Sequence, residues 1–221
     1  VDTSGVIFTD LPTPHGWEIY EPDGYRRSVP QLTPEQTYEQ LCPALPPEDV
    51  IRQLKGYHFQ SYGDPWGEEV ADAMIEAGVF VGAEPTSSVV RSEERVQGAL
   101  RAVRKFEMYS PNEMEAVALV GERPELDTLK AIADLGPRFA SVRLGPHGSA
   151  IYDRDTGEAW HVPAVPIQPV DLTGAGNSYV GALIVGIVEG HCLLRTAAQA
   201  AVSASFVIEQ FGPPTVTPGL L

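Results

Sequence analysis

Cysteine is scarce: Cys42 and Cys192 are the only two, and they lie far apart. That excludes a disulfide framework and a cysteine-based zinc pattern. Two isolated thiols suit a reducing, cytoplasmic compartment. Basic residues are few as well. Fifteen Lys and Arg face thirty Asp and Glu, giving a formal net charge of −15. Arg101, Arg104 and Lys105 have the spacing of one exposed helix face. No Lys/Arg cluster supplies the electrostatic footprint that nucleic-acid binding requires, so none is expected. Long apolar runs are missing too. The best candidate, near Val180 to Val188, is bounded by Asn177 and Glu189. It falls well short of the ~20 residues a membrane span needs. Nothing resembles a signal peptide. The five histidines, His15, His58, His147, His161 and His191, show no metal-ligand spacing. No Ser-His-Asp or Cys-His arrangement can be argued from spacing.

What is present is a globular composition, 43% hydrophobic over 221 residues, enough for one substantial core. Residues 1–47 are rich in Pro, Gly, Tyr and Asp and read as an irregular segment, a lid or edge element. Within it Gly5 to Thr9 reads as strand. Pro34 to Cys42 reads as a helix capped by Thr33, with proline at its first position. The chain opens on Val1 and runs almost at once into strand-like residues, so it reads as part of a longer one. From residue 48 to 221 the rhythm changes. Strands are expected at 56–62, 78–82, 106–109 and 139–144, then a hairpin of 149–153 and 159–162. Helices are expected at 49–54, 67–77, 92–105, 112–120, 125–135, 174–189 and 193–210. Strands alternating with helices imply βαβ units, a mostly parallel sheet and a three-layer α/β/α domain.

One segment carries chemistry. Thr173-Gly174-Ala175-Gly176-Asn177 lies between a proline-marked extended stretch and an apolar helix. Its glycines permit a tight turn and close approach to a ligand. The first amides of the helix have no intrahelical partner, and with the helix dipole they favour an anion. A plain glycine-rich turn before a helix is the alternative. No Gly-Lys-Ser/Thr follows, so this is not a P-loop. Tyr179 replaces the third glycine of a dinucleotide fingerprint.

The wider stretch, Asp171-Leu172-Thr173-Gly174-Ala175-Gly176-Asn177-Ser178-Tyr179-Val180-Gly181-Ala182, closely resembles a signature of the PfkB/ribokinase family, D-T-x-G-A-G-D-x-F-x-x-A/G. Ser110-Pro111-Asn112-Glu113-Met114-Glu115 resembles that family's S/N-P-N-x-x-E segment. Val142-Arg143-Leu144-Gly145-Pro146-His147-Gly148 resembles its V-T-L-G-x-x-G strand and turn. Ala200 to Ser205, followed by Gly212-Pro213, resembles the helix and turn beside the adenine. The likeness is strong from about 106 to 215, weak from 50 to 105, and slight before 50.

The resemblance implies a ribokinase-like fold that binds ATP with Mg2+. Asn112 and Glu115 would address the magnesium–water network. Leu144, Gly145, Gly148, Thr173 and Ser203 would lie at the nucleotide. Gly174, Ala175 and Gly176 would form the anion hole. Asp171, with Thr173, matches positions that hold a monovalent cation in some members. The expected partners are nucleotide and a sugar-like small molecule, and a second copy of the chain is a candidate partner. Asn112 as a helix cap and Glu115 as a first-turn carboxylate have equally good structural explanations.

Two departures stand out. Members of the family carry a catalytic aspartate directly after Gly-Ala-Gly, and this chain has Asn177. A carboxamide accepts a hydrogen bond but is not basic near neutral pH. Phosphotransferase activity is therefore expected to be impaired, or lost in a pseudokinase that keeps the fold. The family's amino-terminal sugar-site blocks also cannot be located. An Asn after the glycine loop, the Ser-Pro-Asn block, Glu84-Pro85 and Arg143-Leu144-Gly145 resemble the fungal killer-particle maintenance subgroup.

Overall fold

The computed structural model describes residues 15–21, 26–33, 36, 44–63, 65, 67–87, 89–212 and 214. The strand expected at Gly5 to Thr9 lies outside them, as does most of the helix expected from Pro34 to Cys42. Of that span only Gln36 is described. Thr33 Oγ1 accepts from the Gln36 amide at 3.3 Å, and Gln36 Oε1 accepts from the Thr33 amide at 3.0 Å. This reciprocal pairing is a capping box.

The chain divides into two compact units, Val1–Glu48 and Asp49–Leu221. In the first, strands β1 (Gly16–Tyr20) and β2 (Arg26–Pro30) form an antiparallel hairpin with Gly16 opposite Pro30 and Tyr20 opposite Arg26.

The second unit is built on a six-stranded sheet. Its strands are β3 (Gly56–Ser61), β4 (Phe80–Pro85), β5 (Met108–Tyr109), β6 (Phe139–Arg143), β7 (Ser149–Asp153) and β8 (Ala159–Val162), side by side in that order. The first four run parallel, β7 is antiparallel to β6, and β8 is antiparallel to β7. A short helix α1 (Glu48–Ile51) precedes β3. Helices α2 (Glu68–Glu76), α3 (Glu93–Ala102), α4 (Glu113–Val120) and α5 (Glu125–Asp134) connect the parallel strands. Helices α6 (Ala175–Val188) and α7 (Leu193–Ile208) follow the hairpin.

Both faces of the sheet are covered. Val70 and Met74 of α2, Ala99 and Ala102 of α3, Leu119 of α4 and Ile132 of α5 pack with Val81, Ala83, Ala140 and Val142. On the opposite face Val180, Leu183 and Ile184 of α6 and Ala197 and Ala200 of α7 pack with Met108, Phe139, Ile151 and Val162. Burial on both sides explains the near-continuous apolar reading of β4, Phe-Val-Gly-Ala, as parallel strands require. The result is the expected three-layer α/β/α arrangement with a mostly parallel sheet. No helix among the described residues is long and apolar enough to cross a membrane.

Candidate functional site

Alternation along the parallel strands sorts residues between the two layers. Phe80, Gly82 and Glu84 of β4 share one face, as do Phe139, Ser141 and Arg143 of β6. Phe80 and Phe139 pack with α6 and α7, and Ser141 Oγ shares a 3.3 Å hydrogen bond with Tyr179 of α6. That face is therefore apolar at the amino ends of the strands. It becomes charged at their carboxyl ends, where open α/β sheets hold ligands.

Four side chains form a cluster there. Arg143 Nη1 lies 2.6 Å from Glu84 Oε2, and Arg143 Nη2 lies 3.4 Å from Glu115 Oε2. His58 Nε2 lies 3.0 Å from Glu84 Oε1. Both glutamates are 3% exposed. Burial pushes the Glu84 carboxyl up, but the His58 hydrogen bond and the Arg143 charge outweigh it and hold it below the usual range. Burial, reinforced by the Glu115 charge, pushes the neighbouring Tyr109 phenol far up.

Glu115 reaches this cluster through the opening of α4. Asn112 is the N-cap: its Oδ1 accepts the Glu115 amide at 2.9 Å, and Glu115 Oε2 accepts the Asn112 amide at 2.8 Å. The same carboxylate therefore closes a capping box and faces a guanidinium. Strand pairing fixes the register, because the Arg143 amide donates to Pro111 O at 3.0 Å. Asn112, Glu115 and Arg143 thus converge beside Leu144.

The turn after β6 is tied back on itself. Leu144 N–H donates to Gly148 O at 2.8 Å, and Gly148 N–H donates to Gly145 O at 3.1 Å. The glycine loop opens α6 opposite. Gly174 is its N-cap at φ 87°, a left-handed conformation that glycine adopts without penalty, and no side chain caps the helix. Gly176 sits directly on the charged cluster. A β-carbon there would collide with Arg143 Nη1 and come within 3.4 Å of Glu84 Oε2. Asn177 is exposed beside it. Ser178 Oγ and Ser203 Oγ are 2.8 Å apart, which joins the loop helix to α7. Asp171 Oδ1 accepts the Thr173 amide at 2.9 Å, and hydrogen bonds from Thr173 hold its carboxyl below the usual range.

The structure therefore brings Asn112 and Glu115 to the Gly174–Gly176 loop through Arg143, and Ser203 to the same helix through Ser178. In the sequence Glu84 and Arg143 stand out only as parts of a subgroup pattern, and His58 shows no metal-ligand spacing. Their signal was slight: single polar residues inside otherwise apolar strands.

The chain is 28% identical over 221 residues to a cytidine kinase of Thermococcus kodakarensis, covering 98% of this chain and 76% of that protein. The crystal structure of adenosine kinase from Sinorhizobium meliloti superimposes with a TM-score of 0.73 at 24% identity, covering 93% of this chain and 64% of that one. A ribokinase II from E. coli, described as putative and in complex with ATP and Mg2+, superimposes with a TM-score of 0.67 at 18% identity over 86% of this chain and 63% of that one. The chain thus spans under two thirds of either solved structure. The family model of pfkB carbohydrate kinases matches residues 1–218, a range that takes in the first fifty residues, where sequence reading found little of the pattern. With its ribokinase-like fold and a match over nearly its whole length, the chain belongs to the pfkB family of carbohydrate kinases.

Proposed function

We propose that this chain binds ATP with its phosphates at the first turn of α6 and transfers the terminal phosphoryl group to a hydroxyl of a sugar or nucleoside. The observation that carries this reading is the uncapped start of α6, opened by Gly174 at φ 87°, with Arg143, Glu84 and Glu115 gathered beneath it. Amides of the first turn, among them the Ala175 N–H that here donates to Leu172 O at 3.3 Å, would together with the helix dipole stabilise charge on the transferring group. The Leu144–Gly148 turn and Ser203 border the nucleotide in this reading. The nucleoside substrate class draws on relatives named as cytidine and adenosine kinases.

The donor set for magnesium is modest. Among the described residues no group of three or more His, Cys, Asp or Glu could hold a metal ion. Asn112 and Glu115 would instead address the water shell of an ion carried by the phosphates, as magnesium usually allows. Bound there, magnesium would neutralise phosphate charge. Asp171 and Thr173 are the residues we assign to a monovalent cation.

Asn177 takes the place of the base. Its carboxamide would orient the attacking hydroxyl without removing its proton. General-base catalysis is worth roughly 10²- to 10⁴-fold, while phosphoryl transfer leans on positioning and charge stabilisation. Slow turnover is therefore the expected state. Asn177, Glu84-Pro85 and Arg143 support placement beside the fungal killer-maintenance subgroup. The same Asn177 favours a second reading, a nucleotide-binding pseudokinase.

Thermal unfolding with ATP and magnesium tests the nucleotide site. Ligand at a hundred times its Kd stabilises by about 2.7 kcal/mol. An unmoved melting temperature at saturating nucleotide would remove both readings.

A further inference from the structure

Phosphoryl transfer as proposed above gives Glu84 no task, yet this carboxylate is buried at the carboxyl end of β4. Its Oε2 lies 2.6 Å from Arg143 Nη1, and its Oε1 faces His58 Nε2 at 3.0 Å. Arg143 stands where the resembled V-T-L-G strand has threonine. Its Nη2 lies 3.4 Å from Oε2 of Glu115, the carboxylate assigned above to the water shell of an ion carried by the phosphates.

One guanidinium therefore stands between two buried carboxylates, and it serves them unequally. The 2.6 Å approach to Glu84 is at the short end for a charge-assisted pair. The 3.4 Å approach to Glu115 is longer than an ordinary N–H···O bond. Two carboxylates against one guanidinium also leave a negative charge over. In a poorly solvated setting that surplus is weakly screened, and it suits a cation. Without the Glu84 charge, Arg143 would be left facing Glu115 and would neutralise it.

We propose that Glu84 is a positioning residue for the magnesium that accompanies the nucleotide: by holding Arg143 to itself, it leaves the Glu115 carboxylate its charge toward that ion. The proposal rests on the nucleotide-site reading above. The division is built into the fold. Glu84 comes from β4 and Arg143 from β6, on either side of β5, while the Asn112 amide anchors Glu115 Oε2 at 2.8 Å. The planar fork of arginine, always charged, can face two carboxylates at once.

Calorimetry of ADP binding tests it, with each protein titrated once in EDTA and once in magnesium. The ratio of the two Kd values is the gain from magnesium. In the wild type the gain should be about tenfold or more, the scale of one charge-assisted interaction. Glu84→Gln keeps the shape and removes the charge, and most of the gain should be lost. Adding Arg143→Met should restore the gain to the wild-type value or above, because no guanidinium then opposes the ion. A side chain that mattered only for packing would not be rescued by a second substitution. An unchanged gain in Glu84→Gln would overturn the proposal. So would a double variant whose gain falls below that of the wild type, a comparison that stands even if the single variant fails to fold. Equal wild-type binding in both buffers would overturn the proposal and leave the nucleotide site standing. Failure of ADP to bind in either buffer would overturn the nucleotide site as well.

Discussion

Gly176 lies on the guanidinium of Arg143, so a β-carbon at this position would occupy the space of Nη1. The glycine is required by a neighbour from another strand, and its backbone would tolerate a side chain. Gly176→Ala should therefore cost about 1–3 kcal/mol through overpacking and abolish ADP-dependent stabilisation. Gly181→Ala in the same helix is the control, because its β-carbon would meet nothing within 4 Å. It should gain up to ~1 kcal/mol from helix propensity. Urea denaturation of both reads the contrast, and equal stability of the two variants would refute the contact.

Asn112 is expected to have two separable duties. Asn112→Ala removes the cap and should cost about 1 kcal/mol. The Glu115 carboxylate keeps the backbone amide of residue 112, but the Glu115 amide loses its acceptor Oδ1, so the first turn that presents the carboxylate loosens and nucleotide affinity should fall. Asn112→Ser keeps a capping oxygen and should recover most of the stability. Recovery of affinity along with stability would mean that Asn112 acts only by fixing Glu115. Stability without affinity would mean that its carboxamide meets the ligand.

The parallel sheet and its helices were legible because strands alternate with helices along the chain, and β4 and β6 are buried on both faces and read as largely apolar. The end of β4 was not. The strand expected there stops at Gly82, yet pairing of Gln60 with Glu84 and Ser61 with Pro85 carries it to residue 85. Likewise the helix expected over 92–105 keeps α form only to Ala102 and tightens into a 3-10 turn at Val103–Lys105. The glycine loop was legible because its chemistry is local. The cluster beneath it was not, because His58, Glu84, Glu115 and Arg143 come from four elements. Only strand register brings them together.

Acid should unfold the protein through its paired carboxylates. Glu84 is held below its ordinary value of 4.5. Asp153 is held below its ordinary value of 3.8, chiefly by hydrogen bonds from Arg138 at 2.9 and 3.0 Å. A depressed native value means that the unfolded chain binds protons first as pH falls. The stabilisation is therefore complete above the ordinary values and is lost as pH drops through the native ones. Stability from these groups should be level above about pH 5 and decline below it. Asp153→Asn should be less stable at neutral pH and show a shallower acid decline. Melting temperature against pH checks this, and parallel curves for the variant and wild type would exclude Asp153 as a contributor.

Asn177 decides whether the site is slow or silent. It is exposed at the mouth of the loop, so Asn177→Asp meets little steric resistance and restores a carboxylate beside the anion site. If the remaining geometry is competent, phosphoryl transfer to some sugar or nucleoside hydroxyl should rise by roughly 10²- to 10⁴-fold. The rate of the variant should also fall at acid pH as the new carboxylate protonates, a dependence the amide cannot give. A coupled assay of ADP release across a panel of sugars and nucleosides reads both effects. ADP binding measured alongside separates the outcomes. Intact binding with no gain on any substrate would mean that the missing base is not what limits the chain, and would favour a nucleotide-binding role without catalysis.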